Sequence, residues 1–173
     1  MELATERSGV EEEKRQFCTF WISGRHFGVD ILDVKEINSE VHFTPIFHAP
    51  KEVKGYVNIR GEIYLILDLA LILGFRSEGL SESSRIVLFD AEAGEAFGVV
   101  VDSIGDIVTV DGMQIENRRA EDMGPPEEGS ERRKLDLGGS VCKLEGELLV
   151  IVNSENLLNI VKQLCNRTDV AQP

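Results

Sequence analysis

Long apolar runs are missing from this sequence. No stretch approaches the roughly 20 residues that a membrane-crossing helix requires. The N-terminus from Met1 to Arg15 is polar and rich in Glu, without the apolar centre of a secretory leader. The expectation is a cytoplasmic protein with no direct membrane insertion. Cysteine is scarce as well. Cys18, Cys142 and Cys165 are odd in number, widely spaced and outside any CxxC pair, which argues against a disulfide framework or a zinc site. Among apolar, strand-like or helical neighbours they read as small buried hydrophobes.

Positive charge is in deficit: 18 Lys and Arg stand against 31 Asp and Glu, a formal net charge of −13. Such a field repels phosphate backbones. The interleaved basic and aromatic residues of a single-strand binder are lacking too, so nucleic acid is not an expected partner. There is no P-loop, HExxH, GxSxG or Rossmann glycine fingerprint, and no cofactor or metal is expected. The best catalytic alternative is a thiol enzyme using Cys142 or Cys165 as nucleophile, with His26, His42 or His48 as base. It requires a spatial contact that only the fold can supply.

What is present is a succession of short strand signals. Residues 1–15 read as a solvated tail. Cys18, Phe20 and Ile22 then alternate with Phe17, Thr19 and Trp21, so both faces of one strand carry apolar groups. Ser23-Gly24 marks a turn into the alternating Phe27, Val29 and Ile31. Ile31–Ile37 loses the alternation and reads as a short helical turn. Pro45 and Pro50 punctuate a loop. Val53–Arg60 is extended, Gly61-Glu62 is a tight turn, and Ile63–Leu67 is an apolar strand. Leu69–Leu73 suits a short helix ended by Gly74. A Ser/Glu/Gly linker at 77–84 precedes strands at Ile86–Phe89 and Phe97–Val101, with a turn around Glu92–Glu95 between them. The segment 118–136 is charged, carries Gly124-Pro125-Pro126, and reads as a mobile loop. A strand at Leu148–Val152 and an amphipathic helix at Ser154–Leu164, N-capped by Ser154, complete the pattern.

The chain repeats itself. Phe27-Gly28-Val29 through Glu36-Ile37 matches Phe97-Gly98-Val99 through Asp106-Ile107 at an offset of 70 residues. Gly61–Asp68 matches Gly146–Asn153 at an offset of 85. The extra length falls at the charged 118–136 loop. The repeat implies a mainly β fold of two related modules, 16–80 and 84–164, each a five-stranded barrel, packed together with short helices and a C-terminal helix. Barrel closure removes the open edges that small sheets cannot leave unpaired. Asn58 and Arg60 become Lys143 and Glu145 in the second copy. Such divergence points to function, whereas the shared glycines point to folding. An Arg beside the Gly61 turn belongs at a barrel rim, either contacting a partner or bridging to a local acid such as Glu36.

Val53-Lys54-Gly55-Tyr56-Val57-Asn58-Ile59-Arg60-Gly61-Glu62-Ile63 resembles the signature of CheW-like domains, with Asp68-Leu69 following where that family has Asp-Leu. Phe27-Gly28-Val29-Asp30-Ile31, Val34–Ile37, Phe97–Asp102 and Leu148–Leu158 extend the resemblance over nearly all of 16–160. It implies two five-stranded SH3-like barrels and a non-enzymatic adaptor. Such an adaptor couples the cytoplasmic tips of chemoreceptors to the regulatory domain of the CheA histidine kinase, in arrays at the inner face of the membrane. The output would be flagellar motility or another receptor-controlled response. Val34, Glu36, Gly55, Asn58, Arg60 and Gly61 match positions tied to partner binding. Gly98, Ile104 and Ile107 match positions at a groove between the barrels, with core packing as the alternative for the two isoleucines. The chain departs from the family at Leu65, where Pro is frequent.

Overall fold

The computed structural model describes residues 13–89, 96–117 and 139–170. The expected turn at Glu92–Glu95, the 118–136 loop and most of the N-terminal tail lie outside them. Eleven strands are described: β1 (Lys14–Ile22), β2 (Arg25–Asp30), β3 (Val34–Asn38), β4 (Val53–Ile59), β5 (Glu62–Asp68), β6 (Arg85–Phe89), β7 (Phe97–Val101), β8 (Ser103–Asp111), β9 (Ile115–Asn117), β10 (Ser140–Leu144) and β11 (Glu147–Ile151). Helix α1 spans Leu69–Ile72 and α2 spans Ser154–Val170.

The strands form two sheets, which make two small SH3-like barrels. One is six-stranded, in the order β8-β1-β2-β11-β10-β9; the other is five-stranded, in the order β3-β6-β7-β5-β4. Sequential barrels over 16–80 and 84–164 are therefore not what the chain builds. Each sheet takes strands from both repeats. The six-stranded sheet adds β1 and β2 to four strands of the second copy, and the five-stranded sheet adds β6 and β7 to three strands of the first. Each sheet has two joints, one antiparallel (β1 to β8, β3 to β6) and one parallel, in which Phe27 opposite Val150 joins β2 to β11 and Phe97 opposite Leu65 joins β7 to β5. These parallel pairs are related by the two offsets of the repeat, 70 and 85 residues. The repeat is real at the level of the strands, but the barrels exchange them.

Two-sided burial explains the exchange. On β1, Phe17 faces a cluster inside the six-stranded barrel with Val110, Cys142, Leu149 and Ile151. Cys18, Phe20 and Ile22 face the opposite way, into a large cluster shared with the other sheet. β6 does the same: Ile86 and Leu88 join Tyr64 and Ile66 inside the five-stranded barrel, while Val87 and Phe89 enter the shared cluster. Successive side chains on a strand point to opposite faces, so each of these strands serves two cores. Leu157, Ile160, Val161 and Leu164 of α2, spaced along one helix face, cover the shared cluster with Leu69, Ala70 and Ile72 of α1.

Local chemistry sets the turns and caps. Ser23 and Gly24, at φ 50° and 74°, form the two-residue loop between the paired Ile22 and Arg25. Positive φ at both positions gives the twist that tight hairpins favour. The Asp68 side chain accepts the Leu71 amide and caps α1, and Gly74, at φ 88°, follows its end. The corresponding residue in the second copy, Asn153, accepts the amides of Glu155 and Asn156 through Oδ1, at 2.8 and 3.4 Å. Asn153, not Ser154, therefore caps α2. The Ser154 hydroxyl donates instead to Asp33, at 2.8 Å.

Several boundaries differ from the sequence reading, among them the tight turn, which falls at Arg60-Gly61 and not at Gly61-Glu62. β1 begins at Lys14 because its backbone pairs with β8 as far as Asp111, and Arg15 bonds Asp30 at 3.0 Å. The helical turn covers only Ile31–Asp33, and Val34–Asn38 is strand β3, held by β6. Helix α2 continues past Leu164 to Val170. Because β3 and β5 pair with β6 and β7 of the other repeat, a fragment of residues 13–80 should show no cooperative thermal transition by circular dichroism. Mixing it with the complementary fragment should restore one. A cooperative transition in the first fragment alone would contradict the exchange.

Candidate functional site

Glu36 of β3 and Asn58, Arg60 and Gly61 of the β4–β5 hairpin meet at one rim of the five-stranded barrel. Ile59 pairs with Glu62, leaving Arg60-Gly61 as a two-residue loop at φ 53° and 85°. Both central residues are left-handed, and Gly tolerates this where Arg does not. The Asn58 side chain locks the loop by accepting the Gly61 amide at 2.9 Å. Arg60 then reaches Glu36 of β3 with two bonds, Nη1 to Oε2 at 2.9 Å and Nη2 to Oε1 at 3.2 Å. β3 and β4 are opposite ends of the sheet order, so this forked pair ties the barrel's edges together. The local bridge considered from sequence is present. The Arg60 side chain nevertheless remains 80% exposed.

A second pair lies beside the first. Lys35 Nζ bonds Glu62 Oε2 at 2.6 Å, and the Tyr64 hydroxyl donates to the same oxygen at 2.6 Å. The bond to Lys35, and then the one from Tyr64, hold the Glu62 carboxyl below the ordinary carboxylate range. The bond to Glu62 holds the Lys35 ammonium above the ordinary lysine range. Sequence reasoning missed this group. The only signal for it was that Lys35 and Tyr64 diverge to Gly105 and Leu149 in the other copy, while Glu62 is kept as Glu147.

The remaining residues divide by role. Val34 opens β3 and packs on the shared core. Gly55, at φ 145°, sits at a β-bulge, and a Cβ there would collide with the backbone of Thr44 and Pro45. It permits the two hydrogen bonds between Thr44 and Tyr56, at 2.8 and 2.9 Å. A Cβ on Gly98 would lie 2.8 Å from Leu88 Cδ2 and 2.9 Å from the Val87 carbonyl oxygen, which places Gly98 against the interior of the five-stranded barrel. Ile104 and Ile107 lie on β8 opposite Phe20 and Cys18. They therefore share the strand face that builds the inter-barrel core. Ile104 packs against that core, while Ile107 is 58% exposed beyond it.

The thiol alternative finds no support in the described geometry. Cys142 is fully buried inside the six-stranded barrel, and burial pushes its thiol pKa up, the wrong direction for a nucleophile. His42 and His48 are exposed on the loop before β4. His26 stacks on Trp21 at 4.3 Å, with Nδ1 3.3 Å from Glu147 Oε1 but outside hydrogen-bond geometry. The side chain of Cys165 lies outside the described set. Among the described residues, no cluster of His, Cys, Asp or Glu could hold a metal, and no helix is long and apolar enough to cross a membrane.

An arginine presented on a locked hairpin of two linked SH3-like barrels leads to known proteins. Residues 16–162 match the CheW-like domain. The chain belongs to the CheW-like domain family. A chemotaxis protein CheW of Klebsiella aerogenes is 28% identical over 146 residues, covering 84% of this chain and 82% of that protein. A probable chemotaxis protein CheW of Rhizobium etli is 33% identical over 101 residues, covering 58% and 64%. Among solved structures, the scaffolding protein TtCheW of Thermoanaerobacter tengcongensis is similar with a TM-score of 0.66 and 25% identity, covering 80% of this chain and 88% of that one.

Two outcomes follow from these placements. Gly55→Ala should cost about 3 kcal/mol, because a Cβ meets backbone that cannot step aside; a denaturant midpoint equal to wild type would refute the close approach. Cys18 and Cys142 should react with a thiol reagent only after denaturation. Rapid labelling of either in the native protein would contradict their burial.

Proposed function

We propose that this chain is a non-enzymatic scaffold that couples chemoreceptors to the regulatory domain of a CheA-type histidine kinase in chemotaxis. The relatives named above are chemotaxis proteins, and one of them is called a scaffolding protein. In this reading Val34, Glu36, Gly55, Asn58, Arg60 and Gly61 form the rim that meets the kinase, with Gly55 acting by shaping β4. Ile104 and Ile107 border the inter-barrel groove that takes an apolar receptor helix, and Gly98 packs the strand behind it. The protein works in receptor arrays at the cytoplasmic face of the membrane.

The observation that carries this reading is the energetic balance at Arg60. A left-handed conformation costs a non-glycine residue roughly 1–2 kcal/mol. A surface ion pair returns about 0–1 kcal/mol. The arrangement therefore gives the fold no net stability, yet it holds a guanidinium in one orientation in front of solvent. The hairpin itself calls for a left-handed residue there, as it does at Ser23; what sets this turn apart is an exposed guanidinium held on Glu36. Individual links near the micromolar range, about −8 kcal/mol, suffice when many act together in an array.

Arg60→Gly separates stability from recognition. Glycine removes the strain and the ion pair together, so the thermal midpoint should stay within about 4 °C of wild type. Recovery of the kinase from a native extract by the tagged protein should fall sharply, and Arg60→Glu should abolish it. Kinase recovery equal to wild type in both variants would remove Arg60 from the interface. A wild-type chain that recovers neither receptor nor kinase would sink the coupling function itself.

A further inference from the structure

The β3 strand carries a bulge beside the rim. Val34 pairs with Phe89 and Glu36 with Leu88, so Lys35 is an extra residue in the ladder. Without it, Lys35 and Glu36 would point to opposite faces. A bulge re-aims side chains, and here both neighbours reach the same hairpin: Glu36 bonds Arg60 and Lys35 bonds Glu62. The repeat places an equivalent irregularity in β8 at Gly105 and Asp106, opposite Thr19 of β1. That copy has the bulge without the lysine, and its Glu147 stands near His26 instead.

We propose that Lys35 is a positioning residue for the Arg60 rim, acting through Glu62 and Tyr64. Tyr64 is buried inside the five-stranded barrel, only 2% exposed. Its hydroxyl ties the Glu62 carboxylate to that rigid interior, and Lys35 lies 5.5 Å from its ring centroid while bonding the same carboxylate. Glu62 is the residue directly after Gly61. Lys35 thus fixes the strand on which the left-handed Arg60-Gly61 loop turns, while Glu36 fixes the guanidinium at its tip. Two adjacent residues of one edge strand set the backbone and the side chain of the hairpin separately. The lowered Glu62 carboxyl and raised Lys35 ammonium keep the group ion-paired at neutral pH. Its contribution is lost only as pH falls below the carboxylate range or rises past the lysine range.

The inference rests on the kinase-coupling role proposed above. Its test combines amide hydrogen exchange at Gly61 with the affinity for the purified regulatory domain of the kinase. Lys35→Met keeps the aliphatic stem and removes the charge. It should speed Gly61 exchange and weaken the affinity roughly two- to fivefold, in keeping with the modest strength of exposed pairs, with the thermal midpoint near wild type. Lys35→Arg should restore both readouts. Unchanged Gly61 exchange in Lys35→Met overturns the proposal, as does faster exchange with unaltered affinity. Tyr64→Phe, which loses only the hydroxyl, should shift both readouts in the same direction, and no shift in either also overturns it. Failure of the wild-type chain to bind the domain is seen before any variant is compared. That result removes the coupling role and, with it, the purpose assigned to Lys35.

Discussion

Burial of both faces of the same strands is the constraint on which this structure depends. A sheet of five or six short strands encloses little volume, and the interior clusters around Phe17 and around Tyr64 are correspondingly small. Most of the buried apolar surface lies between the two sheets, where Phe20, Phe27, Leu67, Val87, Phe89 and Val99 meet under α2. Hydrophobic stabilisation grows with the area removed from water, so the shared layer is the main source of cohesion and neither barrel is a separate unit. The exchange of strands follows the same logic, because a chain that passes from one sheet to the other crosses this layer.

Much of this is legible in the sequence, and the rest is not for identifiable reasons. The doubled apolar pattern at Phe17–Ile22 announces two-sided burial, and the offsets of 70 and 85 residues announce related halves. Which half pairs with which is invisible, because a parallel pairing such as Phe97 with Leu65 leaves no local mark. Strands β8, β9 and β10 carry mixed polar and apolar residues, since each lies toward an end of its sheet, so alternation does not single them out. At the rim, Asn58, Arg60 and Gly61 stand out through motif and divergence. Lys35 does not, because an exposed lysine on an edge strand looks like solvation until a bulge turns it onto Glu62. Ser and Asn cap helices equally well, so sequence alone does not separate Ser154 from Asn153; the amides bonded to Asn153 and the Ser154 contact with Asp33 do.

The rim shows how a modest electrostatic arrangement gains precision from its surroundings. Neither ion pair is buried enough to hold the barrel shut. Their value lies in the converging constraints: the Asn58 side chain on the Gly61 amide, the Thr44 bridge behind Gly55, and the anchored Tyr64 ring under Lys35. An 80% exposed guanidinium held in this way retains little of the rotamer freedom that binding would otherwise have to freeze.

The exchange of strands between repeats has a consequence for ancestry. A single repeat present as two separate chains would complete the same two barrels as a symmetric homodimer, each chain lending two strands to its twin. In such a dimer both hairpin tips are identical by necessity. Joining the copies in one polypeptide lifts that symmetry, so one tip can carry Arg60 facing Glu36 while its counterpart carries Glu145. One fused chain thereby acquires two unlike ends, which is the least that the proposed coupling of two different partners requires.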